Sequence, residues 1–372
     1  MKAPGCILIG PVPPPYGGMA VYLARLREEL LRARIPCAVI GFSLRKDRAG
    51  LKRDANRVLN YLSVAVRLIG TPGRAVICFS GSELNLAVNG LIVWWAKALG
   101  KKVVLRLSGG KFKDSLRTAR SVKKKWLSSV FFVTDRIVIN SLEIMDGLAY
   151  YGIPASKIVF LSNALPFDEN NLRDTAKLDE RDRELFGFME SHFPLGICIG
   201  GTDAMYGSEL LLRAFARFRA EFLRAGLILV LKSGSRAGDF EGILALVKDL
   251  VLGTSVYVLR DLPRNQVLAL FQRSHFLVRP SYYDGDSNAV REGLALGLPV
   301  LASDAAPRPG GVFLFRTGDL ESLVGAMSAL AGGITAEKET DKDRIPAISG
   351  YEGRENLGRI AEVLSSLMRN DS

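Results

Sequence analysis

The sequence predicts an α/β protein made of two doubly wound parallel-sheet domains, and three observations predict it. Short apolar runs of strand character alternate with amphipathic helical patterns from the start of the chain; the alternation lapses into charged, polar sequence around residues 166 to 193; beyond that it starts again. Strand and helix in alternation argue for βαβ units, and a polar interruption between two such series marks an interdomain connection. The 372 residues are too many for one ordinary core, and 48% hydrophobic content is enough to fill two.

Taken in order, the first strand is Cys6-Ile7-Leu8-Ile9, followed by a proline-rich loop and a helix from Met19 to Arg34. Cys37 to Ile40, Ala75 to Phe79, Val103 to Leu107 and Arg136 to Asn140 supply further strands. The longest apolar stretch, Leu84 to Leu99, is interrupted by Asn85, Asn89 and Lys97. It falls short of the roughly 20 residues that span a bilayer and reads as a buried helix. The connection contains Asp168-Glu169-Asn170-Asn171 and the charged run Asp179 to Glu184. The second series runs through Gly196 to Gly200, Leu227 to Leu231, Ser255 to Leu259, His275 to Val278 and Leu298 to Ala302. Ile334 to Ile345 is loop-like and charged, and Glu352 to Met368 has helical periodicity through Leu357, Ile360, Val363, Leu364 and Leu367. The expected domains are therefore 1–170 and 190–351, with a closing helix at about 352–372 that returns to the first.

Composition narrows the class of protein. Cys6, Cys37, Cys78 and Cys198 lie far apart in or beside apolar runs with no CxxC spacing, which reads as reduced core cysteines in a cytoplasmic protein. His192 and His275 are far apart and offer no metal-ligand spacing, so no metal and no cofactor is expected. The N-terminus lacks the apolar core and cleavage site of a signal peptide. Charge is uneven: 26 Lys and Arg against 9 Asp and Glu up to residue 165, then 24 against 29. A basic first half favours an anionic partner, either nucleic acid, an acidic membrane surface or a phosphorylated substrate. Nucleic acid is set aside because the basic residues are not interleaved with aromatics and no binding motif is present.

In open parallel sheets ligands bind beyond the carboxyl ends of the strands, which directs attention to the loop Pro280 to Asn288 and the helix after it. Here a strand ends, an acidic glycine-containing loop turns, and Asn288 is expected to cap a short helix that closes at Gly297. The free N–H groups from Ser287 to Val290 would seat a diphosphate. Glu292, one turn into the helix, could accept hydrogen bonds from ribose hydroxyls, and Asp284, with seven residues between them, could hold a sugar. The alternative is that Asp284, Asp286 and Glu292 only cap or solvate the helix.

With these residues the sequence resembles the family 4 glycosyltransferases of the GT-B fold. Asp284 and Glu292 fall on the two acidic positions of the acidic-x7-acidic motif, and Gly297-Leu298-Pro299-Val300 matches the strand that follows. The likeness extends to Gly17-Gly18 after the first strand, to Lys157-Ile158 with Asn163, and to Tyr206-Gly207. The run Asp284-Gly285-Asp286-Ser287-Asn288-Ala289-Val290-Arg291-Glu292, with Arg308-Pro309 beyond, is similar to members that build capsular, exopolysaccharide or lipopolysaccharide chains. The resemblance implies two Rossmann-like domains facing across a cleft and a metal-independent, retaining transfer of sugar from a UDP- or GDP-linked donor to a glycan acceptor. It implies that Gly17 and Gly18 close the donor side and that Gly285, Asp286, Ser287, Asn288 and Ala289 bind the donor. It places Ser108, Gly109, Gly110 and Asn163 near the acceptor or the reacting sugar.

The sequence also departs from that family. Where many members carry an Arg and a Lys to stabilise the departing diphosphate, this chain has Gly201 and Tyr206, and Ser108 stands where many have a histidine. Lys232, ending the run Leu227 to Leu231, is the best-placed replacement cation, with Arg236 and Arg260 behind it. On the acceptor side, Lys113, Arg117, Arg120 and Lys124 recur at helical spacing, with Phe112, Leu116, Ala119, Val122 and Trp126 on another face. Such a helix could rest on an anionic leaflet at the inner face of the cell membrane and admit a lipid-linked glycan, helped by the basic stretch Leu44 to Arg57; a solvated helix on a core fits equally. Two other classes remain: a nucleotide-sugar-binding scaffold subunit of a glycan-assembly complex, suggested by the missing cation pair, and a nucleotide-sugar epimerase of the same fold.

Overall fold

The computed structural model describes residues 5–12, 18–42, 51–81, 83–108, 116, 121–163, 183–232, 239–337 and 351–369. The chain divides into two units, Met1–Pro166 with Tyr351–Ser372, and Phe167–Gly350.

The first unit holds strands β1 (Cys6–Pro11), β2 (Cys37–Phe42), β3 (Ala75–Ser80), β4 (Lys102–Leu107), β5 (Arg136–Ile139) and β6 (Ile158–Phe160). Its helices are α1 (Gly18–Arg32), α2 (Leu51–Gly70), α3 (Glu83–Ala98), α4 (Ser121–Val133) and α5 (Leu142–Ala149), with the C-terminal helix Tyr351–Arg369. The strands pair in parallel in the order β2-β1-β3-β4-β5-β6. They are apolar almost throughout because helices cover both faces of the sheet. Alternate residues divide between the two faces: Ile7 and Ile9 meet α2, α3 and α4, while Cys6 and Leu8 meet α1 and the C-terminal helix.

The second unit repeats the scheme with β7 (Leu195–Gly201), β8 (Gly226–Lys232), β9 (Val256–Arg260), β10 (Phe276–Arg279), β11 (Val300–Ser303) and β12 (Val312–Phe315). Its helices are α6 (Arg183–Ser191), α7 (Ser208–Glu221), α8 (Asp239–Asp249), α9 (Arg264–Arg273), α10 (Asn288–Ala295) and α11 (Leu320–Glu337). All neighbours are parallel, in the order β12-β11-β10-β7-β8-β9. Leu227 and Leu229 face α7, α8 and α11; Ile228 and Val230 face α6, α9 and α10. The order reverses between β7 and β10, so those two strands lead to helices on opposite faces of the sheet, and in open parallel sheets ligands bind at such a reversal. In the first unit the same reversal falls between β1 and β3.

Several local expectations are corrected. The helix at Leu84 to Leu99 is buried on one side only: Leu91, Trp94 and Trp95 are exposed, because a helix lying on a sheet hides a stripe rather than its whole surface. The loop-like reading from Ile334 fails at its start, since α11 continues to Glu337. The charged connection contains a helix, α6, whose Leu185 and Met189 reach the core. In α4 the expected apolar position Val122 is 84% exposed, while Leu127, Val130 and Phe131 are buried. Val122 precedes Leu127 by five residues, about 140° around the helix, and so misses the buried stripe. Edge strands β6 and β12 had no distinct sequence signal; β12 exposes Phe313 and Leu314.

Candidate functional site

The loops that leave β7 and β10 meet through their backbones. The loop after β7 turns through a short 3-10 helix, Ala204–Tyr206, into Gly207, whose φ of 71° lies in the left-handed region. A side chain there would collide with the carbonyl of Pro280 in the loop after β10. The two loops are further tied by the Tyr282 N–H, which donates to the Met205 carbonyl at 2.9 Å. Tyr206 lies flat against Gly201, where a Cβ would stand 2.6 Å from its ring. Those two positions, empty of cations in the sequence, are therefore one packed surface at the end of β7.

Into this surface points a residue that sequence reasoning missed. Arg279 ends β10, and its guanidinium centre lies 5.5 Å from the Tyr206 ring centroid. Its Nε and Nη2 donate to the two oxygens of Asp284 at 2.9 and 3.0 Å, and its Nη1 donates to the Ile199 carbonyl at 2.6 Å. A second arginine, Arg308, which the sequence offered only as part of the family likeness, donates from Nη1 to Asp284 Oδ2 at 2.8 Å and from Nε to the Ser303 carbonyl at 3.0 Å. Asp284 is thus held by two guanidinium groups, one of them bidentate, in a geometry that favours strong, directional bonds. Burial would push its carboxyl up, but the charge and hydrogen bonds of Arg279, and then of Arg308, bring it down to about 2. The available signal was a lone arginine closing the otherwise apolar strand Phe276-Leu277-Val278.

Lys232 ends β8, in register with Gly201 on β7. Burial lowers its ammonium to about 8, the Arg279 charge adds to the shift, and Glu292, Asp284 and Asp261 oppose it. Burial likewise raises the Tyr206 phenol. Thr202 Oγ1 and Ser281 Oγ, in the loops after β7 and β10, are buried without a hydrogen-bond partner among the described residues.

Helix α10 starts one residue earlier than expected, with Asn288 inside it rather than capping it. Ser287 is its N-cap, with φ −79° and ψ 120°, and makes no side-chain cap bond; Asn288 is the first helical residue, because the extended backbone persists through Ser287. Ala289 follows in the first turn and Gly297, at φ 68°, closes the helix. Glu292 is buried and pairs with Arg264 Nε at 2.8 Å; Asp286 pairs with Arg291, and Gly285 is half-buried between the two aspartates. Asp284, Asp286, Glu292, Ser287 and Lys232 thus gather at one end of this sheet. Arg260, at the end of β9, turns instead onto the Phe240 ring at 4.9 Å and toward Asp261 at 3.6 Å. Arg236 lies outside the described residues.

In the first unit, Gly18 opens α1, and Ser108 follows β4, its N–H donating to the Ser80 carbonyl at 3.0 Å. The Ser108 hydroxyl contacts the Met19 sulfur at 4.0 Å. Asn163 Oδ1 accepts from Arg106 Nη2 at 2.8 Å. Gly17, Gly109, Gly110, Lys113, Arg117 and Arg120 lie outside the described residues. Lys124 stacks its ammonium 3.8 Å from the centroid of Tyr150.

Residues 194–332, which carry the whole cluster around Asp284, match the family model described as glycosyl transferases group 1. Comparison with curated protein sequences gives no match. Among solved structures the chain is similar to HepE of Anabaena in complex with UDP and glucose, at 16% identity and a TM-score of 0.68, over 97% of this chain and 100% of that one. It is similar to sucrose-phosphate synthase of Thermosynechococcus elongatus, at 15% identity and a TM-score of 0.67, over 98% and 97%. It is also similar to a UDP-forming α,α-trehalose-phosphate synthase of Burkholderia xenovorans in complex with glucose-6-phosphate, at 12% identity and a TM-score of 0.68, over 97% and 99%. Residues 194–332 thus match the group 1 glycosyltransferase model, in a chain whose two parallel-sheet units share the GT-B fold of these solved structures.

Proposed function

We propose that the chain transfers a sugar from a UDP- or GDP-linked donor, with retention of anomeric configuration and without a metal, to a lipid-borne glycan in surface polysaccharide assembly. The observation that carries this reading is the cationic cluster of Arg279, Arg308 and Lys232 at the strand-order reversal of the segment matching the glycosyltransferase model. In such a transfer the bond from the anomeric carbon to the diphosphate breaks, and negative charge grows on the departing phosphate oxygen. Preorganised positive charge in a water-poor site is the most effective way to stabilise it. Arg279 and Lys232 fill that role beside the cation-free positions Gly201 and Tyr206, and the N–H groups at the start of α10 add to it.

Asp284 then has two tasks. It holds both arginines, and its Oδ1, which takes only one of the three arginine bonds, keeps a lone pair for a hydroxyl of the donor sugar. Glu292, one turn into α10, faces the ribose. HepE, a structural relative, was solved with UDP and glucose, which supports a nucleotide-sugar at this site. The second unit is read as the donor side, and the basic first unit, with Ser108 and Asn163, as the acceptor side. The scaffold reading rested on the absent cation pair, and Arg279 weakens that reason. Thermal unfolding with UDP, GDP, ADP and CMP tests the proposal. One nucleotide class at about 100 times its Kd should stabilise the protein by roughly 2.7 kcal/mol. Glu292→Ala, Lys232→Ala and Arg279→Met should each diminish that shift, and absence of a shift with every nucleotide sinks the reading.

A further inference from the structure

Helices α2 and α3 lie side by side on one face of the first sheet, and their inner residues Val64, Leu68, Ile92, Val93 and Ala96 share one core. Their outer faces are also apolar. Leu62, Val66 and Ile69 recur along α2 at helical spacing and are 57%, 67% and 59% exposed; Leu91, Trp94 and Trp95 on α3 are 60%, 42% and 39% exposed. The two rows are joined: Trp95 Nε1 donates to the Ala65 carbonyl at 3.0 Å. Single exposed apolar residues are ordinary, but six large ones on adjoining helices make a patch of the kind that marks an interaction surface.

Charge at the rim says what covers it. Where α2 and α3 end together, Arg67, Arg74 and Lys101 collect, with Lys101 Nζ reaching the Thr71 and Gly73 carbonyls at 3.2 and 2.9 Å; Lys97 beside them is paired with Asp135 at 2.9 Å and adds no net charge. From residue 60 to residue 106 the sequence contains one acidic residue, Glu83. A second copy of this chain is a poor occupant, because its own copy of this stretch offers only Glu83 to meet the basic rim. An anionic lipid surface is complementary in both respects: tryptophans favour the headgroup boundary, and basic residues beside an apolar face are drawn to negative lipids. Among the described residues no helix is long and apolar enough to cross a membrane.

We propose that the α2–α3 face is a docking surface that seats the first unit on an anionic lipid bilayer, with Leu91, Trp94 and Val66 entering the headgroup boundary. This surface does not include Lys124, whose ammonium lies over the Tyr150 ring. It accords with a lipid-borne acceptor, but its test needs neither donor nor acceptor, so failure of one reading leaves the other standing.

The full chain reports on this face by its own fluorescence. It has three tryptophans, and the third, Trp126, is half-buried with Nε1 donating to the Ala87 carbonyl at 2.8 Å. With phosphatidylcholine vesicles holding about 30 mol% phosphatidylglycerol, tryptophan emission should shift to the blue and be quenched by brominated lipid, with partition at least about tenfold above that for phosphatidylcholine alone. Raising salt to about 1 M, where screening acts within about 3 Å, should reverse most of that gain. Leu91→Ser with Trp94→Ser, and separately Val66→Ser, should lower partition about tenfold for the first pair and measurably for the second while the unfolding temperature stays that of the parent. No partition, equal partition of parent and variants, or a parent that is dimeric while the variants are monomeric would each overturn the proposal.

Discussion

Lys232 shows how a single side chain ties function to pH. Its ammonium is lowered to about 8, first by burial and then by Arg279. In the unliganded fold the charged form is disfavoured, so that penalty is present below pH 8 and is relieved as pH rises from about 8 toward the usual lysine value of about 10.4. A bound diphosphate reverses the balance by adding negative charge, which draws the proton back. Nucleoside diphosphate affinity is therefore expected to be level below pH 8 and to weaken by up to about tenfold per pH unit above it. Lys232→Met should bind more weakly with a flat profile; calorimetric titration across pH 7 to about 10 checks both, and an unchanged slope in the variant removes Lys232 from the diphosphate. The sequence pointed to Lys232 through its place at a strand end, and to Asp284 and Glu292 through their spacing. It did not point to Arg279, and it gave Arg308 only as part of a family likeness, because nothing in a linear pattern reveals that residues 24 apart close on one carboxylate.

At the level of elements, the site depends on two loops held in contact. Gly207 sits at φ 71° against the Pro280 carbonyl, and the Tyr282 N–H bonds Met205 at 2.9 Å. Gly207→Ala adds a left-handed penalty of about 1–2 kcal/mol to a collision with backbone that has no rotamer by which to yield. The variant is expected to lose at least about 2 kcal/mol of stability in the second unit and most of its nucleotide-induced stabilisation, read by denaturant unfolding with and without UDP. A variant with parental stability and binding would show that the loops move apart freely. Element type was legible wherever apolar runs and helical periodicity were long. Boundaries were less so: whether α10 is capped by Ser287 or Asn288 turns on one residue's backbone angles, and the edge strand β12, with two exposed apolar residues, has no burial pattern to read.

Across the whole molecule, the C-terminal helix follows the second unit in sequence and belongs to the first in space. Ile360, Leu364 and Leu367 are buried against Tyr22, Leu26 and Ile77, and Asn356 Nδ2 donates to Ser162 Oγ at 2.7 Å. Each such apolar side chain contributes about 1.5–3 kcal/mol, a large share of the roughly 5–15 kcal/mol that stabilises a protein. Ending the chain after Gly350 should therefore abolish or sharply lower the unfolding transition of the first unit, while that of the second keeps its nucleotide response; scanning calorimetry separates the two, and an intact first transition would deny the helix its structural role. By itself, the sequence determined the α/β class, the break between two doubly wound series and the likeness of the segment around Asp284 and Glu292 to glycosyltransferases, because periodicity, turn chemistry and motif spacing are local properties of a chain. The tertiary structure alone decided that Asp284 is gripped by two arginines, that Arg279 stands beside the cation-free end of β7, and that apolar rows from α2 and α3 lie outward together. Each of these joins residues from separate elements, and only the pairing of strands and the packing of helices sets the distance between them.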